Sequence, residues 1–407
     1  MRKLLAARAK SFATKLLVGV GTALSLGLSA PAMAQEIVWS AHLGLTGAGA
    51  YAAKFALDGF TDYVEWKNAN GGIRGRPIKL LSEDTTFKVD VGVAGFKRLM
   101  AERPETLVVS GDSTGFVQGT SPENNERFKR LMTSTSFASE FADIKKYPYH
   151  FIAGPSYLDM FGVLLKFIKD DYKGSGMPKL AIVHSTLEFG RDPIEGAVKR
   201  AKEMGIDVVL VNQTKVVEVD VGPVALTVRQ ANPDYTIFHG YAYTTWPEVV
   251  KLAKDYGMKS KFLVTVWSSD IPALQKIGPS IDGLIGVTPY AYSTTGATAP
   301  MLKAIDEMNR KRDPKYDGYP TNGYMQSWLD AMLAAKAAEM VIDAKQPLNG
   351  DNMKAALETL KGWDTGGIFG VPVDIKDHKM AIGRVWRYEA KQGQPVKPIP
   401  ISDWIRL

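Results

Sequence analysis

Residues 43–85, LGLTGAGAYAAKFALDGFTDYVEWKNANGGIRGRPIKLLSEDT, join a Gly-rich loop, an amphipathic helix and a buried strand in one unit. The apolar run from Ile37 to Leu45 has the length of a strand, and Gly47 and Gly49 open the loop after it. Phe55, Gly59, Tyr63 and Trp66 then recur at helical spacing. Gly71 and Gly72 stop that helix, because glycine takes the left-handed conformation that a helix C-terminus needs. Arg76-Pro-Ile-Lys-Leu-Leu leads into a second strand ending on Glu83-Asp84. The pattern is a first βαβ unit, with acidic and hydroxyl groups gathered at the carboxyl edge of a sheet, where open α/β sheets bind ligands.

The same alternation continues along the chain. Strand-like runs occur at Thr106 to Ser110, Arg130 to Thr135, Leu180 to His184, Val208 to Asn212, Tyr235 to Gly240, Lys261 to Val266 and Gly283 to Val287, with helical patterns between them. This predicts parallel sheets covered by helices on both faces. The pattern breaks at Gly154-Pro155, near Val287-Thr288-Pro289 and around Met380 to Arg384, three candidate crossings between two lobes. The Pro-, Gly- and Tyr-rich loop Asp313 to Tyr324 precedes a helix from Met325 to Ala344, read as an outer element.

The first 34 residues have the form of a secretory signal. Arg2, Lys3, Arg8, Lys10 and Lys15 precede the apolar run Leu16 to Leu28, and Ala32-Met-Ala34 offers a cleavage site before Gln35. The run is short for a membrane span, and no later segment has the length and apolarity of one. The chain has no cysteine, which excludes a lipid-attachment cysteine at that site and a disulfide framework. A free periplasmic protein is expected. Five of the 50 Lys and Arg and none of the 43 Asp and Glu lie in the leader, so the whole-chain charge of +7 falls to +2 after it. Nucleic-acid binding has no electrostatic footing on such a chain. The remaining ~370 residues suit about two domains, each large enough to bury its own core.

Two patterns resemble those of enzymes or cofactor binders. Gly47-Ala-Gly49-Ala-Tyr-Ala52 has the spacing of a dinucleotide fingerprint, but Asp84 follows Gly49 by about 35 residues where that fingerprint expects about 20. Gly111-Asp-Ser113-Thr-Gly115 is a literal G-x-S-x-G between a strand and a helix, the setting of a hydrolase nucleophile. A periplasmic serine esterase using Ser113 is therefore an alternative function. It would need one of His150, His184, His239 or His378 as base, and the crossing near Gly154 puts His184 and His239 across a cleft. The competing reading makes Ser113 and Thr114 hydroxyl donors at a helix N-terminus, where free amides and the helix dipole favour a carboxylate. No cysteine, no His pair at helical spacing and no acidic calcium loop supports a metal, and no cofactor is expected.

The order of Gly44-Leu-Thr-Gly47, a helix, then Asn70 through Gly75 to Ile78 and a strand ending on Asp84 resembles periplasmic solute-binding proteins of the branched-chain amino-acid class, the receptors of one group of ABC importers. Further family-like pieces are the loop Gly111 to Gly115, Phe189-Gly190 and Asn232-Pro-Asp-Tyr-Thr-Ile-Phe238. The resemblance implies an α/β fold of two Rossmann-like lobes with parallel sheets, joined by a three-strand hinge. It divides the chain into a leader, 1–34, a first lobe from 35–154 plus 288–380, and a second from 155–287 plus 381–407. It also implies a non-enzymatic receptor, acting as a monomer, that passes a small molecule to an inner-membrane ABC permease.

In the resembled family the loops after two strands of the first lobe hold the ligand's carboxylate, which maps here to Ser113 or Thr114 and to Ser136 with Phe137. Where amino-acid binders of that family place an acid for the ammonium, this chain has Val266-Trp267-Ser268. An unpaired buried ammonium would be costly, so either Asp159 substitutes or the ligand has no ammonium. The second lobe offers Phe189, Tyr241, Tyr243, Trp246 and Trp267 at strand ends. These point to a small aromatic or otherwise hydrophobic carboxylate, packed by Tyr51, Tyr157, Phe189, Tyr241 and Trp267. A branched-chain amino acid or small amide is the alternative ligand.

Overall fold

The computed structural model describes residues 35–47, 50–215, 220–242, 244–292, 296–316 and 318–407. The expected leader, residues 1–34, lies outside the described residues, as do Gly49 and Tyr243.

Strand β1 (Ile37–Leu43) is buried at every position, so both faces of its sheet are covered. Helix α1 (Ala50–Ala69) leads to β2 (Ile78–Asp84), α2 (Val89–Glu102) to β3 (Val108–Gly111), and α3 (Thr114–Glu123) to β4 (Leu131–Ser134). The four strands are parallel in the order β2-β1-β3-β4. Gly71 and Gly72 end α1 with positive φ, and the Gly72 amide donates back to the Lys67 carbonyl at 2.8 Å. The opening βαβ unit is the one expected.

A second sheet follows. The chain runs through α4 (Tyr157–Asp171), β5 (Lys179–Ser185), α5 (Glu188–Arg191), α6 (Ile194–Glu203), β6 (Asp207–Thr214) and α7 (Gly222–Ala231). It continues through β7 (Tyr235–His239), α8 (Trp246–Asp255), β8 (Lys261–Val264), α9 (Ile271–Ile277) and β9 (Ile285–Thr288). Helices α10 (Pro300–Arg312), α11 (Asn322–Asp343) and α12 (Gly350–Glu358) precede β10 (Ile382–Glu389), β11 (Lys397–Pro400) and β12 (Ile405–Arg406). The sheet order is β11-β10-β9-β8-β7-β5-β6, with β12 beside β10. Strands β5 to β9 are parallel, whereas β10 is antiparallel to β9, β11 and β12. That antiparallel edge was not anticipated.

The three stretches expected to cross between sheets run side by side. The Met380 amide donates to the Gly154 carbonyl at 2.9 Å, and Thr288 pairs with Arg384 across β9 and β10.

Two expectations need correction. Strand β8 stops at Val264, and Val266–Ser268 forms a 3-10 turn, because the amides of Ser268 and Ser269 bond back to the carbonyls of Thr265 and Val266. Helix α11 is not an outer element. It packs against α1, α12 and β4, and buries Tyr324, Met325, Trp328, Leu329 and Leu333. Gly59 permits this, since a Cβ there would lie 2.3 Å from the Tyr324 carbonyl oxygen. The helix also starts three residues earlier than expected, at Asn322, because Thr321 Oγ1 accepts from the Tyr324 amide as its N-cap.

Candidate functional site

Residues that follow β1, β3 and β4 in one sheet and β5, β7 and β8 in the other surround a cavity of about 450 Å³. Both sheets thus present their carboxyl edges to it, the position where open α/β sheets hold ligands.

The first wall is built by α3. Ser113 has extended backbone and its Oγ accepts from the Phe116 amide at 3.2 Å, so it is the N-cap of this helix. Thr114, the first helical residue, shares a 2.7 Å hydrogen bond with Ser136 Oγ, which also accepts from the Ala138 amide at 3.2 Å. Thr114 and Ser136 are both buried. Asp112 stands beside them and accepts from Thr85 Oγ1. Burial raises its carboxyl above the ordinary value, and hydrogen bonds from Thr85 and Ser113 work against that rise. A hydroxyl-lined helix N-terminus can hold an anion through donors and dipole together.

The second wall is aromatic. Phe189 and Tyr241 pack with ring centroids 4.8 Å apart, and Tyr157 lies 5.8 Å from Phe189. Trp267, carried by the 3-10 turn after β8, donates from Nε1 to Tyr157 Oη at 2.7 Å. Tyr51 lines the cavity from α1, and Lys276 sits over its ring at 4.8 Å.

The cavity therefore brings together Tyr51, Ser113, Thr114, Ser136, Tyr157, Phe189, Tyr241 and Trp267. Phe137 is the correction. It is wholly buried one layer deeper, against Tyr157 and Trp267, because the loop after β4 turns its ring into the core. Trp246 is likewise core, packed on Phe238. Asp159 is not a wall residue either. It closes a capping box with Ser156 and pairs with Lys379 at 2.6 Å.

The acid that sequence reasoning missed is Asp270. It lines the cavity three residues after Trp267, as the N-cap of α9. Its Oδ1 accepts from the Asn322 amide at 2.7 Å and its Oδ2 from the Ala273 amide at 3.3 Å. Burial pushes its carboxyl up to about 6. Asn322 and Gly323, in the first turn of α11, line the same region. The only advance signal was the Asp270-Ile-Pro sequence, which marks a capped helix start. Glu188 also reaches the cavity, and among the described lining residues there is no Lys, Arg or His.

That composition leaves Ser113 without a histidine at the cavity. His239 is buried and bonded to Thr265 Oγ1 and the Phe189 carbonyl, and His184 contacts the Ser185 carbonyl. His150 bonds Ser134, and His378 bonds Glu358 and the His150 carbonyl. Ser113 acts as a helix cap within hydrogen-bond reach of Asp112, an arrangement that does not support the esterase alternative.

Residues 42–395 match the model of a family described as periplasmic binding protein. A Leu/Ile/Val-binding protein of Citrobacter freundii is 21% identical over 293 residues, covering 72% of this chain and 77% of that protein. A solved structure of a branched chain amino acid ABC transporter from Thermus thermophilus with bound valine has a TM-score of 0.78 at 21% identity, covering 92% of this chain and 97% of the other. A solute binding protein of an ABC transporter from Rhodopseudomonas palustris BisB5, in complex with 3,4-dihydroxy benzoic acid, has a TM-score of 0.73 at 16% identity over 91% of this chain and 97% of the other. At these identities the structures establish likeness of fold.

Proposed function

The chain belongs to the periplasmic binding protein family, in its branched-chain amino-acid class, and is a substrate-binding protein of the ABC-transporter kind; from that premise we propose that its cargo is a small carboxylate with an aromatic or otherwise hydrophobic body. The observation that carries this reading is the pairing of a hydroxyl-lined helix N-terminus at Ser113, Thr114 and Ser136 with the aromatic wall of Tyr157, Phe189, Tyr241 and Trp267 in one cavity. The first would hold the carboxylate and the second would pack the body, with Tyr51 closing on it from α1. The structural relative holding dihydroxybenzoic acid makes such a ligand compatible with the fold.

In this reading residues 35–154 with 288–380 form one lobe and 155–287 with 381–407 the other, and the two close on the ligand about the three adjacent crossings. The protein is exported, loses residues 1–34, and works in the periplasm as a monomer. It delivers its ligand to an inner-membrane permease and catalyses nothing.

A branched-chain amino acid is the second reading. Asp270 favours it, because a cavity carboxylate could neutralise an ammonium. A thermal-shift comparison decides between them, since a ligand that binds only the folded state raises the melting temperature. Benzoates should stabilise the protein and leucine, isoleucine and valine should not. Equal or greater stabilisation by the three amino acids would overturn the aromatic assignment and leave the receptor class standing.

A further inference from the structure

We propose that Lys276 is the clasp that holds the cavity shut: it reaches from the second lobe across the mouth, pins the ring of Tyr51 over the ligand, and so sets how slowly the ligand leaves. This rests on the reading of the cavity as a ligand site between two closing lobes, and it applies to either cargo.

Tyr51 stands in the first turn of α1, in the first lobe, and lines the cavity while remaining 38% exposed. Its ring therefore lies between cavity and solvent. Phe55, one turn further along α1, packs edge-on to it with ring centroids 5.2 Å apart and steadies the ring from its own side.

Lys276 comes from the other lobe. It lies in the last turn of α9, which is anchored by its Asp270 cap and by buried Ile271, Ala273 and Leu274, and it projects from the exposed side of that helix. Its Nζ sits 4.8 Å from the Tyr51 ring centroid and donates to the Tyr51 hydroxyl at 3.4 Å. An ammonium within about 6 Å of a tyrosine ring is attracted by the ring's quadrupole.

Other bonds between the lobes differ in kind. The Asn322 amide meets Asp270 in the interior. Asp192 accepts from the Ser139 amide at 2.6 Å, next to the first crossing, where Ser139 Oγ accepts from the Leu158 amide. The contact of Lys276 with Tyr51 is instead made by two exposed side chains at the rim. It can part and re-form without baring the core, as a contact broken at every opening must.

A contact formed only when the lobes meet favours the closed state by its own free energy and does nothing for the open one. The ligand enters an open cleft and leaves only after reopening. Such a contact slows escape and spares entry.

The test compares the full mature chain with Lys276→Met, Lys276→Arg, Tyr51→Leu and the double variant Lys276→Met with Tyr51→Leu, each checked for folding by its melting temperature. The probes are 4-hydroxybenzoate and leucine, and stopped-flow fluorescence, with Trp267 at the cavity as reporter, separates association from dissociation. Lys276→Met should raise the dissociation rate about two- to fivefold, the scale of an exposed cation–π contact, and leave the association rate unchanged. Lys276→Arg should keep the wild-type rate. In a Tyr51→Leu background, where the ring is gone, Lys276→Met should change nothing further. An unchanged dissociation rate in Lys276→Met overturns the clasp and leaves the receptor reading intact. A change confined to association makes Lys276 a steering charge and also overturns the clasp, as does a dissociation effect that persists in the Tyr51→Leu background. If neither probe binds, both cargo readings fail and the clasp is decided without ligand. The chain has no cysteine, so spin labels on Glu102→Cys and Asp255→Cys, at exposed positions of the first and second lobe, report the separation of the lobes. Lys276→Met should then shift that separation to longer distances, and identical distributions overturn the clasp.

Discussion

Trp267 Nε1 donates a 2.7 Å hydrogen bond to Tyr157 Oη, tying the turn after β8 to the first residue of α4. Tyr157 also lies beside Ser136, which is joined to Thr114 by a 2.7 Å hydrogen bond. The aromatic wall and the hydroxyl platform therefore adjoin at Tyr157 and Ser136, and a change at either end should be felt at the other.

Trp267→Phe keeps much of the ring and removes the donor. Ligand affinity should fall by about 0.5–1.5 kcal/mol, the net value of one neutral hydrogen bond. Trp267→Ala should lose more, through packing, and calorimetry on both variants separates the effects. Wild-type affinity in Trp267→Phe would show that the bond to Tyr157 has no part in binding.

Removing the platform hydroxyls, as in Ser113→Ala with Thr114→Val, should weaken carboxylate binding by about 1.5–3 kcal/mol per lost charged hydrogen bond. Loss of the Ser113 cap should also cost about 1 kcal/mol of stability. Titration with a carboxylate and its primary amide isolates the anion role. If the variant keeps the wild-type preference for the acid, these residues do not read the carboxylate. The wild type should show no turnover of simple aryl or acyl esters, and activity abolished by Ser113→Ala would restore the esterase reading.

Asp270 gives a pH signature. Its carboxyl moves from the ordinary 3.8 to about 6 in the folded protein. Between those values the folded state binds more protons than the unfolded chain, so stability from this group declines as pH rises. Two pKa units correspond to about 3 kcal/mol. Asp270→Asn removes the dependence, and its melting temperature relative to wild type should climb between about pH 4 and about pH 7. A constant difference across that range would contradict a buried, destabilised carboxylate.

His42, His150 and His239 act in the opposite sense. Burial holds each down to about 3 from an ordinary 6.5, so each is neutral in the fold and takes up a proton on unfolding. Their contribution is complete above about pH 6.5 and is lost as pH falls toward about 3, at up to about 1.4 kcal/mol per pH unit for each ring. His42 is stacked on Phe116 and neither of its nitrogens has a partner among the described residues. His42→Leu should flatten the acid limb of a denaturation series and keep neutral-pH stability. An unchanged acid limb would exclude His42 from the acid response.

Gly59→Ala tests the seam between α1 and α11. The added methyl would meet the Tyr324 carbonyl oxygen at 2.3 Å, and backbone cannot swing aside as a side chain can. A loss of about 1–3 kcal/mol or more is expected in urea denaturation. Because α11 carries Asn322 into the cavity, affinity should fall with it.

Much of the architecture was legible in the sequence, for reasons of periodicity. Strand and helix patterns are local, and β1 to β9 fell near their expected places because apolar runs bounded by Gly, Pro and Asn have few other readings. The antiparallel strands β10 to β12 were not legible, since their partners lie far along the chain. Nor was the burial of α11, which depends on the absence of a side chain at Gly59, 265 residues before Tyr324.

By itself the sequence determined that residues after successive strands would line one cavity, because every strand of a parallel sheet delivers its following loop to the same edge. Ser113, Thr114, Ser136, Phe189, Tyr241 and Trp267, the first three also marked by the resemblance, line the cavity as that rule expects. Only the tertiary structure decided which neighbours point inward. Phe137 turns into the core while Ser136 faces the cavity, and the 3-10 turn after β8 brings Asp270 round to meet an amide 52 residues further on. Such choices are made by side-chain direction and long-range hydrogen bonds, which no local pattern encodes.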